Sequence, residues 1–177
     1  MQNHEKSGPV GVRGREPVPR DKSLAGRRVL LIDAENLAGA LCASAEILGP
    51  VIRRWLSSVN YTSGDHVVVA CHPVFAFDVR TALPFGQLLV RRGRDGADRA
   101  LLDHVANYVR PLLARYSGGL VIGSGDHIFA SVVDSLHLEG VPVRVVAPRS
   151  STAKVLMQPG VCRDTSTHRA LLAGAAV

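Results

Sequence analysis

The chain predicts an α/β fold with a central, mostly parallel sheet of about five strands and helices on both faces. Three observations predict it. Five short apolar runs, rich in β-branched residues, are continuous rather than alternating, as in strands buried on both faces. Between them lie stretches whose apolar residues recur at helical spacing. The two patterns alternate along the chain, which is how parallel strands are joined.

The first strand is expected over residues 29–32, where Val29, Leu30, Leu31 and Ile32 are followed by a carboxylate. Two helices are expected next, over 37–48 and 51–59, separated at Gly49-Pro50 because proline removes a donor and crowds the preceding turn. The second strand falls at 67–70, then a short helix at 75–83, ended by Pro84. The third strand is 88–90. Residues 98–115 read as one long helix, with Leu101, Leu102, Val105, Val109, Leu112 and Leu113 on its apolar stripe. The fourth strand is 120–122, the next helix 129–138 with Gly140 as its stop, and the fifth strand 143–147. A short helix is expected near 152–157.

The 177 residues suggest one domain with tails, and the 46% hydrophobic content is that of a packed core. The expected division is a basic leader over 1–26, a folded domain over 27–150 and a C-terminal extension over 151–177. No apolar run approaches the roughly 18–20 residues that span a bilayer, so no membrane partner is expected. The N-terminal stretch has no apolar segment of the signal-peptide kind. Cys42, Cys71 and Cys162 fit no zinc or disulfide spacing, which points to a reducing cytoplasm. The net charge is +6, yet residues 1–28 hold seven Lys/Arg against three Asp/Glu. Most of the basic excess thus sits in a Pro/Gly/Arg-rich leader suited to non-specific contact with RNA or to solubility.

Parallel sheets bind ligands at the carboxyl ends of their strands. Three strands end there in acids: Asp33-Ala34-Glu35-Asn36 after the first, Asp95-Gly96-Ala97-Asp98 after the third, and Ser124-Gly125-Asp126 after the fourth. One such acid is explained by helix N-capping. Three on one rim repel each other, and a shared hard cation, Mg²⁺ or Mn²⁺, relieves that repulsion. The small residues Gly123, Ser124 and Gly125 are expected to let the backbone approach a ligand and project Asp126 over the rim. Glu35, two residues past Asp33, reads either as a ligand or as an acid suited to the helix N-terminus, and the second is favoured. His72, His104 and His127 have no zinc-site spacing and are assigned no chemistry, and Trp55 is expected in the core.

The strings IDAEN (32–36), GADRALLDHV (96–105), VIGSGDHIF (121–129) and VPVRVVA (141–147) together resemble the NYN-domain family, the PIN-like ribonucleases that include the LabA-type proteins. The resemblance spans roughly residues 27–150. It implies a compact PIN-like three-layer fold and metal-dependent RNA cleavage. It places Asp33, Asn36, Asp98 and Asp126 in the acidic site, with Asp33, Asp98 and Asp126 holding the metal and Asp103 a further helix acid. Two departures stand out. Many relatives carry an acid two residues after the SGD aspartate, where this chain has Ile128. Asp103 lies five residues past Asp98, about 140° around a helix, so the two converge only if Asp98 precedes the helix.

The activity so implied is hydrolysis of RNA phosphodiesters with Mg²⁺ or Mn²⁺ relieving charge on the phosphate. Asn36 would orient a water or a phosphate oxygen. Ser124, Arg91, Arg92, Arg94 and Arg99 are the candidate substrate contacts. A homo-oligomer is compatible with the sequence. Two other readings stand beside the enzyme: a non-catalytic RNA-binding module with a degenerate site, and an interaction domain whose acids are helix caps.

Overall fold

The computed structural model describes residues 26–39 and 45–157. The leader, apart from Gly26, and the extension from residue 158 onward lie outside the described residues, as do Cys42 and Cys162. Five strands form one sheet: β1 (Val29–Asp33), β2 (His66–Cys71), β3 (Gln87–Val90), β4 (Leu120–Gly123) and β5 (Val143–Val145). All neighbours are parallel, in the order β3-β2-β1-β4-β5. The expected α/β class and strand number are therefore observed.

The helices are α1 (Ala34–Ala38), α2 (Ala45–Ser58), α3 (Ala76–Ala82), α4 (Gly96–His104), α5 (Arg110–Leu113) and α6 (Ala130–Leu138). A wider π turn, Val105–Val109, joins α4 to α5, so the long helix read at 98–115 is continuous in direction. Single-turn 3₁₀ segments at Pro73–Phe75 and His127–Phe129 lead into α3 and α6.

Successive strand residues point to opposite faces, so β1 serves two cores. Leu30 and Ile32 pack with Leu48, Ile52, Trp55 and Leu56 of α2 on one face. Val29 and Leu31 pack with Leu101, Val105, Phe129, Val133 and Leu136 on the other. Each large side chain so buried stabilises the fold by about 1.5–3 kcal/mol. Helices on both faces of the sheet make three layers.

The expected break at Gly49-Pro50 does not occur, and α2 runs through Pro50. The stripe Leu48, Val51, Ile52, Trp55, Leu56 and Val59 is buried on both sides of the proline, and that burial outweighs one lost backbone hydrogen bond. Gly49 is the point of close approach to α3, where an added Cβ would lie 3.2 Å from Ala82 Cβ.

The folded unit also runs past residue 150. Leu156 is buried in the second core. Ala153 N–H donates to Gly125 O at 2.8 Å, tying the segment to the loop after β4. The short helix expected at 152–157 is a 3₁₀ turn, Lys154–Met157. Among the described residues no helix is long and apolar enough to cross a membrane.

The strand order matters for function. From β1 the chain builds outward to β2 and β3, then crosses to β4 on the other side of β1. The order reverses between β1 and β4, and the crevice above such a reversal is where open parallel sheets take ligands.

Candidate functional site

Asp33 is the last residue of β1 and caps α1, its Oδ1 accepting the Asn36 N–H at 3.1 Å. Asp98 enters from α4, on the opposite face of the sheet. It is the third residue of that helix, not its cap; Asp95 holds the cap position and makes no side-chain cap bond. Both aspartates are buried, at 3% and 7% exposure, and their carboxyls stand close enough to act on each other's titration. Asp98 Oδ1 is buried and meets no hydrogen-bond donor.

Burial is the main reason the Asp33 carboxyl sits well above its ordinary value of 3.8; the hydrogen bond and charge of Asp98 add to it, and the Asn36 N–H works against them. Burial likewise raises Asp98, against the lowering effect of its bond with Asp33, while the charges of Asp126 and Asp95 push it further up. Without a cation the pair therefore keeps a proton into a range where ordinary aspartates have lost theirs.

Asp33 and Asp98 line an open cleft of about 200 Å³, together with Glu35, Asn36, His72, Arg91, Gly93, Asp95, Gly96 and Ala97. Glu35 and His72 are among those assigned no site role from sequence. Glu35 Oε2 accepts the His72 N–H at 3.1 Å, and burial raises its carboxyl. His72 caps the turn before α3 through its Nδ1. The local pattern offered Glu35 as a ligand or a first-turn helix acid and favoured the second; that it reaches the loop after β2 depends on pairing between β1 and β2.

Asn36 is in the cleft, but its Oδ1 accepts the Gly125 N–H at 2.8 Å. It ties the loop after β1 to the loop after β4, which is a positioning task. Ser124 is not a surface contact. It is fully buried, and its Oγ accepts the Asp126 N–H at 3.3 Å.

Asp126 stands beside the pair rather than within it. Its Oδ1 accepts the Ile128 N–H at 2.9 Å and lies 2.9 Å from His127 Nδ1. Its charge reaches Asp98, yet its side chain does not line the cleft. Ile128 packs part-buried against the second core. Asp103 is outside the group: its side chain is 70% exposed and salt-bridged to Arg91 Nη1 at 2.6 Å. Since α4 begins at Gly96, before Asp98, the helical phase sends Asp103 elsewhere. Of the four arginines, Arg91 lines the cleft, while Arg92, Arg94 and Arg99 are exposed nearby on the β3–α4 segment.

The glycines of GSGD serve packing. A Cβ on Gly123 would lie 2.8 Å from the Trp55 ring, and one on Gly125 would lie 2.5 Å from Ser151 O. Trp55 is fully buried, as expected, with its Nε1–H donating to Val146 O at 2.8 Å. The close approach read from sequence is thus to protein atoms.

Among the described residues no three His, Cys, Asp or Glu side chains already stand as a metal-holding set. The residues nevertheless fit a divalent cation in one respect. A pair of buried, interacting carboxyls whose ionisation burial opposes, with an unpartnered oxygen at its side, is a donor set that suits a hard cation. No protein-family model, curated protein or solved structure matches the chain.

Proposed function

We propose that the chain is a metal-dependent ribonuclease that hydrolyses RNA phosphodiester bonds in this cleft with Mg²⁺ or Mn²⁺. The observation that carries the reading is the Asp33–Asp98 pair: two buried carboxyls at the reversal of strand order, one oxygen without a donor. Helix capping explains one oxygen of Asp33 and one of Asp126, but nothing about Asp98. The short motifs shared with NYN-domain nucleases point the same way.

Asp33 and Asp98 would hold the cation, which when bound supplies relief of phosphate charge and an activated water. Asp126 adds negative charge behind Asp98. Asn36 and Ser124 fix the loop that carries Asp126. Arg91 lines the cleft, Arg92, Arg94 and Arg99 are exposed, and together they would position RNA phosphates without reading sequence.

An end-labelled unstructured RNA should be cut by the purified protein with Mn²⁺ or Mg²⁺ and left whole in EDTA. No cutting with either ion sinks the enzyme reading. One observation favours a non-catalytic RNA-binding module instead: position 128, where many members of the NYN-domain family carry an acid, is an isoleucine packed against the core. That module predicts salt-sensitive RNA retention with no turnover.

A further inference from the structure

β3 is the last strand of the sheet, with β2 its only strand neighbour among the described residues. The Arg91 N–H donates to Cys71 O at 3.3 Å, and bonding alternates along a parallel pair, so the backbone groups of Leu88 and Val90 face away from the sheet. Edge strands are ordinarily guarded by charge, proline or a covering element. This one has no charge before its end: Phe85, Gly86, Gln87, Leu88, Leu89 and Val90 run uncharged to Arg91.

Its surroundings are apolar as well. Seven large hydrophobics are exposed among the described residues, and four of them, Val74, Phe77, Phe85 and Val90, fall within residues 74–90, the stretch that holds α3 and β3. Phe77 is 81% exposed on α3. Phe85 stacks on Tyr61 at 5.3 Å between ring centres and still stands 58% exposed. Apolar groups gathered on one edge mark an interaction surface, whereas single ones need no explanation.

We propose that this edge is the interface of a homodimer, in which β3 of two copies pairs antiparallel and continues the sheet across a two-fold axis. The open backbone of a strand is met by another strand, and an identical one placed antiparallel satisfies both copies alike. The charges select that direction. A parallel copy would set Arg91 and Arg92 of both chains side by side, where like charges repel. The antiparallel copy separates them and places each Arg91 beside the uncharged start of the other β3. It also lays the two α3 helices in opposite directions, so the single acid of each, Asp78, approaches the single base of the other, Arg80. Pairing uses the β3 edge of both copies, so assembly through it closes at two chains. The clefts lie at the carboxyl ends of the strands, so they point opposite ways and both stay open. The interface does not depend on the nuclease reading.

Sedimentation equilibrium of the full chain is the test. The parent should weigh two chains of 18.9 kDa at micromolar concentration. Phe77→Glu combined with Phe85→Glu should weaken the dimer about 30-fold or more, because the carboxylates would be buried without partners. Val90→Pro should act likewise, since it removes an outward N–H that the sheet of one copy does not use. Leu138→Glu, at an 88% exposed position on α6, should leave the mass unchanged. Circular dichroism spectra like the parent's show that each variant folds. A monomeric parent overturns the proposal, whether the edge stays bare or something other than a second copy covers it. A dimer that keeps its strength in either edge variant, or that Leu138→Glu breaks, overturns it too.

Discussion

Asp98→Asn should abolish metal-dependent RNA cleavage and, with no cation present, raise the melting temperature. The two effects have one cause. Both members of the buried pair have folded-state pKa values above the ordinary 3.8. In the window between that value and the raised ones, folding takes up protons, so stability falls as pH rises through it. Above that window the metal-free protein carries the penalty in full. The variant carries no carboxylate at position 98, so the burial penalty on that group and its charge on Asp33 are both removed. The gain is about 1 kcal/mol or more, or about 3–5 °C for a domain of this size. Added Mn²⁺ should stabilise the parent, since a ligand of the folded state alone must, and leave the variant unmoved. Cleavage should fall about 100-fold or more. A variant that cuts RNA at the parental rate, or melts lower without metal, refutes this account of the pair.

Gly123→Ala should lower stability by about 2–4 kcal/mol, which is about 10 °C in melting temperature. The added methyl would stand 2.8 Å from Cε2 and Cζ2 of Trp55. The indole is fully buried and held by its Nε1–H bond to Val146 O, so it retreats only by breaking that bond. Gly123 also pairs with Ile32 on β1, so the backbone has little room to shift. Thermal melts with and without Mn²⁺ give the answer. An unchanged metal-free midpoint would mean that this glycine is small for a ligand's sake and not for packing.

The layers of this fold were legible because parallel strands buried on both faces leave continuous apolar runs, and all five were found within a few residues. What failed to read were features set by partners distant in sequence. Pro50 looked like a helix break because the burial of Leu48 on one side and Val51 on the other is a tertiary fact. Gly123 and Gly125 looked ligand-facing because Trp55 and Ser151, which they accommodate, lie far along the chain. Strand-end acids marked the rim well enough to bring Asp33 and Asp98 together. They did not separate the paired acids from the cap, since Asp126 differs from Asp98 only in where α4 and the turn before α6 begin. Glu35 had a sufficient local explanation as a first-turn acid, and that concealed its reach to His72.

The central claim, that the Asp33–Asp98 pair holds a divalent cation, is tested most directly by diffraction from crystals soaked in Mn²⁺, with anomalous maps to locate the ion. The account predicts one anomalous peak bonded to an oxygen of Asp33 and an oxygen of Asp98, inside the cleft beside Glu35. A saturating soak that leaves no peak between the two carboxyls would contradict it.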